Sequence, residues 1–223
     1  MPPQLPEGCR IVEGLITTLS PVGDGAGSAS ASASESVLER VNIAPMGPIV
    51  DADERTFVLR PFTSSTTYRN IKATGAAVFH MTDDVRLIAA GAIGKVTPED
   101  AGELRPAASV EGLVLASACR YHELEVVELD DHQPRTRIVM RVLRSAELRP
   151  ARGFNRACHA VLEAAILATR LHLTGAPAVL AAIEQLQVAV DKTGAAAEHD
   201  AMAMIRRHVA AWREAESEPE SGA

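Results

Sequence analysis

The segment Leu59-Arg-Pro-Phe-Thr-Ser-Ser-Thr-Thr-Tyr-Arg-Asn-Ile71 sets an arginine at the end of a strand-like run. Behind it come five consecutive hydroxyl side chains, Thr63, Ser64, Ser65, Thr66 and Thr67, at the start of a helix-like run. A phosphate dianion needs neutralising charge and several donors. Arg60 offers a bidentate fork, and the hydroxyls with the N–H groups of a helix start offer the rest. Arg69 and Asn70 follow within a turn and extend the same set. A plainer role also suits these residues: the hydroxyls cap the helix and Arg60 pairs with a surface carboxylate. Taken alone, they leave both roles open.

Other constellations are weaker. Gly91-Ala-Ile-Gly-Lys-Val96 lacks the spacing of a nucleotide-binding GxxxxGK[ST] loop, and no GxGxxG fingerprint marks a dinucleotide fold. His80-Met-Thr-Asp-Asp84 suits a helix cap by Asp83 or Asp84 better than a metal or acid–base site. His122, Glu123 and Glu125 face arginines on the next strand-like run, which cross-strand pairing explains. Arg156, His159, Glu163 and Arg170 fall on one stripe of an Ala-rich helix. That stripe reads as a buried ion network, or as a polar wall toward a ligand or subunit. No GxSxG elbow, HExxH helix or metal-ligand spacing occurs. Cys9, Cys119 and Cys158 lie too far apart for a CxxC pair and read as reduced thiols.

Composition narrows the function classes. A net charge of −7 without a long Lys/Arg run gives no footprint for nucleic acid. Aromatics at 3% are too sparse for a base-stacking platform. No apolar stretch approaches the roughly 20 residues of a membrane span, and Met1 to Cys9 lacks a basic region followed by an apolar one. The expected place is the cytoplasm.

The elements that must position Arg60 to Asn70 follow from pattern. Arg10–Leu19 is rich in β-branched residues and reads as a strand. Residues 22–36 (Gly/Ser/Ala) read as a mobile loop, and strand-like sequence resumes at Val37–Ile43. Ala44-Pro-Met-Gly-Pro48 interrupts regular pairing, as suits a ligand-facing loop. Thr56–Arg60 and Ala76–Met81 read as strands. Between them a helix capped at Thr63 or Ser64 stops at Gly75. A short helix follows Asp83 or Asp84, and 98–112 reads as irregular with helical turns. Tyr121–Leu129 and Arg135–Leu143 form a hairpin around Asp130–Pro134. After Pro150 come three helices, about 155–173, 177–190 and 196–215. Six or seven strands and a helical addition make an α+β protein. The expected domains are a barrel over 10–150, a helical subdomain over 151–215 and a frayed tail over 216–223.

Ile11-Val-Glu-Gly-Leu-Ile16, Val41-Asn-Ile-Ala-Pro-Met-Gly47, Leu59-Arg-Pro-Phe62 through Ile71, Thr82-Asp-Asp84 and Phe154-Asn-Arg-Ala157 together resemble the DUF447 proteins, from Arg10 to about Val209. That family is similar to the FMN-binding split β-barrels of flavin reductases, with a helical region after the barrel. The resemblance implies an FMN phosphate among Arg60, Ser65, Thr66, Thr67 and Asn70, beside Thr63 and Ser64 of the anion argument. It implies an isoalloxazine ring along Asn42, Ala44, Pro45, Met46 and Gly47. His80 stands near the flavin, where the family pattern has a smaller polar residue. The resemblance also implies a homodimer with a flavin nucleotide as partner. The function that follows is FMN binding, as an oxidoreductase of open substrate, or alternatively as a non-catalytic flavin carrier. Bound flavin does the redox chemistry itself, so no side chain is required as a catalytic base.

Overall fold

A computed structural model describes residues 5–21 and 33–217. Of the expected mobile loop, 22–32 lies outside the described residues, as does the end of the tail. Two compact units divide the chain: Met1–Thr82 with Val96–Pro150, and Asp83–Lys95 with Ala151–Ala223.

In the first unit the strands are β1 (Arg10–Ile11), β2 (Gly14–Leu19), β3 (Val41–Met46), β4 (Ile49–Val50), β5 (Thr56–Leu59), β6 (Ala76–Met81), β7 (Leu104–Pro106), β8 (Leu113–Leu115), β9 (Arg120–Asp130) and β10 (Arg137–Glu147). Its helices are α1 (Ala33–Arg40), α2 (Thr66–Thr74) and α4 (Pro98–Ala101); α3 (Val85–Ile93) belongs to the second unit. Eight strands join in one sheet ordered β1-β4-β5-β10-β9-β6-β2-β3, and β7 pairs with β8 separately. All the pairings are antiparallel.

The sheet is rolled. In a flat sheet β5 and β6, three places apart, would lie about 14 Å from each other. Yet the rings of Phe57 on β5 and Phe79 on β6 have centroids 5.4 Å apart. Both belong to one interior cluster with Ile16, Leu59, Leu124, Ile138 and Met140, all 0% exposed. Tyr68 and Ile71 of α2 enter that cluster and close the barrel interior.

Strand β2 is buried along its whole length because both of its faces are covered. Ile16 looks into the barrel, while Thr17 on the opposite face donates its hydroxyl to Leu113 O on β8. Edge strand β3 accommodates Pro45, whose missing N–H costs no ladder bond on the open side. The strand expected from Val37 begins only at Val41, and α1 occupies the chain up to Arg40. Glu, Leu and Arg favour helix there, and β-branched Val41 and Ile43 then favour extension. Arg10–Leu19 likewise divides into β1 and β2.

The second unit packs α3 with α5 (Arg156–Ala168), α6 (Leu171–Thr174), α7 (Ala176–Thr193) and α8 (Ala196–Ser217). Ala157, Ala160, Val161, Ala164, Ala165 and Ala168 put one face of α5 into the core, against Val85, Val179, Ile183, Ile205 and Val209. Asn155 caps this helix, its side-chain oxygen accepting from Ala157 N at 2.7 Å and Cys158 N at 3.2 Å. The expected single helix over 155–173 breaks after Ala168. Arg156, His159, Glu163 and Arg170 are all exposed, so the stripe is no buried ion network.

Because the rolled sheet closes over Phe57, Phe57→Ala should lower unfolding stability by about 3–5 kcal/mol. Urea denaturation monitored by far-UV circular dichroism checks this.

Candidate functional site

The turn from β5 into α2 is built by the start of β10. Leu59 pairs with Ile138, Phe62 forms an isolated bridge with Arg135, and Thr63 N donates to Pro134 O at 2.9 Å. Thr136 donates both its N–H, at 3.0 Å, and its hydroxyl, at 2.8 Å, to Pro61 O. Ser65 then caps α2: its hydroxyl accepts from Tyr68 N at 3.2 Å and donates to Phe62 O at 2.8 Å. The cap falls one or two residues later than expected. The helix stops at Gly75, in the left-handed conformation at φ 70°, whose N–H returns to Ile71 O at 2.8 Å.

The charge around this helix start is inverted. A helix N-terminus carries partial positive charge and is ordinarily attended by acids, but the first turn of α2 has none. Arg69 folds back over it instead, donating to Ser64 O at 2.9 Å and to Thr66 Oγ1 at 3.0 Å. Arg60 directly follows β5. Among the described residues its Nε is one of two buried side-chain polar atoms without a hydrogen-bond partner, His122 Nε2 being the other. A buried donor left unsatisfied is costly, and the N–H groups of Thr66 and Thr67 lie ahead of the helical ladder. Arg60, Arg69, two leading N–H groups and the Thr63, Ser64 and Thr66 hydroxyls thus lie in one segment, from the end of β5 to the first turns of α2.

The far side of α2 is anchored. Tyr68 donates its hydroxyl to Asp131 Oδ2 at 2.5 Å, and Lys72 Nζ reaches the same oxygen at 2.6 Å. The Lys72 ammonium and then the Tyr68 hydroxyl hold the Asp131 carboxyl below its ordinary range.

Other expected site residues are used differently. Asn42 donates to Thr67 Oγ1 at 3.1 Å and to Thr18 Oγ1 at 3.3 Å, and Asn70 donates to Thr18 Oγ1 at 3.1 Å. Ser20 donates to Asn70 Oδ1 at 3.3 Å. These side chains therefore bond to one another across β2, β3 and α2. Ala44 and Met46 share the inward side of β3 with Asn42, whereas Pro45 points the other way. Gly47 lies under the Glu13 carboxylate, whose Oε1 would stand 2.8 Å from a Cβ there.

His80 is fully buried with both ring nitrogens engaged by backbone. Leu115 N donates to Nε2 at 3.0 Å, so Nδ1 carries the proton toward Leu15 O at 3.3 Å. This geometry ties His80 through both ring nitrogens to β2 and to β8. Thr18 and Ser20 escaped the sequence reading; their only signal is polar side chains at the end of an apolar strand.

The remaining polar groups have local roles. Asp84 caps α3 through Leu87 N at 3.0 Å, and Asp83 accepts from Arg152 N at 2.9 Å. Glu125 pairs with Arg141 at 2.7 Å, but buried Glu123 instead accepts the N–H groups of Ala108 and Ser109. His122 Nδ1 lies 2.7 Å from Ser145 Oγ, and its Nε2 lies 3.9 Å from Glu54 Oε2. Arg10 and Arg120 hold that carboxylate at 2.8 and 3.0 Å. No group of three or more His, Cys, Asp or Glu among the described residues could hold a metal, and no described helix is long and apolar enough to cross a membrane.

A rolled antiparallel sheet closed by one helix, with an anion-competent turn leading into that helix, defines a split β-barrel with a helical addition. The family described as "Protein of unknown function (DUF447) N-terminal domain" matches residues 33–149, and "Protein of unknown function (DUF447)" matches 155–207. The chain belongs to the DUF447 family. Among solved structures, an FMN-bound protein from Methanosarcina mazei superposes with a TM-score of 0.69 at 24% identity, covering 89% of this chain and 94% of that one. A 2-nitrobenzoate 2-nitroreductase from Pseudomonas fluorescens gives 0.46 at 17% identity, covering 60% and 64%. An FMN-binding protein from Thermus thermophilus with bound 1-cyclohex-2-enone gives 0.46 at 16%, covering 62% and 72%. No curated protein matches the chain.

Burial lowers His80 from its ordinary 6.5 to about 3, and burial with the nearby Arg120 charge lowers His122 to about 4. The unfolded chain therefore takes up protons near pH 6.5 that the folded chain refuses, and stability falls as pH drops through this window toward 3. The melting temperature should decline progressively below about pH 6.5, and His80→Gln should flatten part of that decline in a differential scanning series.

Proposed function

We propose that this chain binds FMN and acts as an FMN-dependent oxidoreductase. The observation that carries the reading is the start of α2: its first turn has no acid, Arg69 folds over it, and the buried Nε of Arg60 has no partner. Such a turn favours a dianion. The FMN-bound relative from Methanosarcina mazei supports the identity of that anion as the flavin phosphate.

On this reading Arg60 and Arg69 neutralise the phosphate. Thr63, Ser64 and Thr66 add hydroxyl donors, and Ser65 keeps the helix start in place. Backbone groups of Asn42 to Gly47 meet the polar edge of the ring, with Ala44 and Met46 toward the barrel side. Bound FMN would supply hydride or electron transfer. The residues of the chain bind it, orient it and shield it from water. The resemblance of the family to split barrels supports a homodimeric assembly.

Purified protein should show flavin absorption bands, with FMN released on denaturation and identified by mass. Arg60→Ala should weaken FMN binding by about 1.5–3 kcal/mol, roughly ten- to a hundredfold in Kd, through loss of a charge-assisted contact. Unchanged flavin content in a folded variant would sink the phosphate assignment. Anaerobic mixing with NADH or NADPH tests turnover: bleaching of the flavin bands supports the oxidoreductase, and a flavin that neither reduces points to a carrier.

A further inference from the structure

We infer that the side chains of Thr18, Asn42, Thr67 and Asn70 are positioning groups that hold the two ends of the flavin site in register, acting through one another instead of on the ligand. The inference rests on the FMN reading above. Thr18 Oγ1 is the hub, accepting from Asn70 at 3.1 Å and from Asn42 at 3.3 Å. Asn42 also donates to Thr67 Oγ1 at 3.1 Å, and Asn70 accepts from Ser20 at 3.3 Å. Thr18, Thr67 and Asn70 are only 1%, 4% and 3% exposed. The Asn70 amide has both its nitrogen and its oxygen engaged inside the protein.

These bonds join three elements with different duties. Asn42 opens the β3 segment that runs to Gly47, the ring side of the site. Thr67 and Asn70 belong to α2, whose start is the phosphate side. Thr18 sits on β2, to which β3 is already fixed by a ladder from Gly14↔Met46 to Leu19↔Val41. The helix has no such ladder. Tyr68 and Ile71 seat it in the barrel interior, but apolar contact is non-directional and tolerates small slides and rotations. Buried hydrogen bonds do not, because breaking one strands a desolvated polar group. The lattice therefore sets where the leading N–H groups of α2 stand relative to Asn42–Gly47.

A ligand that spans both ends senses this spacing. FMN joins ring and phosphate through one chain, so the phosphate adds full affinity only when the second contact falls within reach of the first. Riboflavin, with the ring and no phosphate, does not need the register.

The experiment measures Kd for FMN and for riboflavin by flavin fluorescence quenching, with full-length wild type, Thr18→Val and Thr18→Ser. Wild type should prefer FMN. Thr18→Val should cut that preference about tenfold through loss of two buried hydrogen bonds, with riboflavin affinity changed less than about threefold. Thr18→Ser, which keeps the hydroxyl, should retain the wild-type ratio. Thr67→Val, which removes one bond to Asn42, should shift the ratio in the same direction and serves where Thr18→Val does not fold. A folded Thr18→Val with the wild-type ratio overturns the positioning role alone. A wild type that binds neither flavin overturns the FMN reading beneath it.

Discussion

The burial of Tyr68 and Ile71 inside the rolled sheet is the constraint on which the site depends. With 8% and 0% exposure these two side chains fix α2 as the element that closes the barrel interior. Once the helix lies there, its N-terminus must fall just past the end of β5, because only Arg60 to Ser65 separate the two elements. That short connection cannot wander: its backbone is tied to Pro134 O and to Thr136 on the neighbouring strand. The position of Arg60 follows from the same closure, since it is the residue at which β5 leaves the sheet. Core packing thus sets where the turn from Arg60 into α2 stands, and hydrogen bonds among Thr18, Asn42, Thr67 and Asn70 brace the helix behind it.

Electrostatics explains why the arrangement favours a ligand over a self-contained cap. Ser65 satisfies Tyr68 N and so completes the ordinary requirement of a helix start. Nothing in that role calls for arginines, and positive side chains near a positive helix end are unfavourable by a few tenths of a kcal/mol to about 1 kcal/mol. Arg69 is nevertheless held over the first turn by two hydrogen bonds. The far end shows the usual sign, with Lys72 in the last turn held by Asp131. The helix is therefore complementary to its dipole at one end and opposed to it at the other, and an added dianion removes the opposition.

Much of this was legible in the sequence, for identifiable reasons. A run of hydroxyls between a strand-ending arginine and a Gly stop encodes local geometry, and local geometry is what spacing reports. The helix from the Ser/Thr cluster to Gly75 and the hairpin around Asp131 both depend on neighbours in the chain. What the sequence hid depends on sheet closure. That Asn42 bonds directly to Thr67, and that Asn42 and Asn70 share Thr18, shows only once β2 and β3 approach α2. His80 was hidden in the same way, because its partners Leu15 and Leu115 lie 65 and 35 residues away. The buried ion network expected of the stripe that begins on α5 failed for a different reason: periodicity locates a face, but which face is buried is decided by the alanines that pack more closely.

The two buried histidines sharpen how the barrel would treat a bound flavin. A histidine held neutral through the physiological range contributes hydrogen bonds and shape, without a charge that changes with pH. His80 spends both nitrogens on strands β2 and β8, so it stiffens the sheet beneath β2, and β2 in turn carries Thr18. The cationic side chains around the start of α2 are Arg60 and Arg69. On the FMN reading, binding and redox chemistry are separated: the chain would fix where the phosphate and the ring edge lie, and electron transfer would belong to the ring.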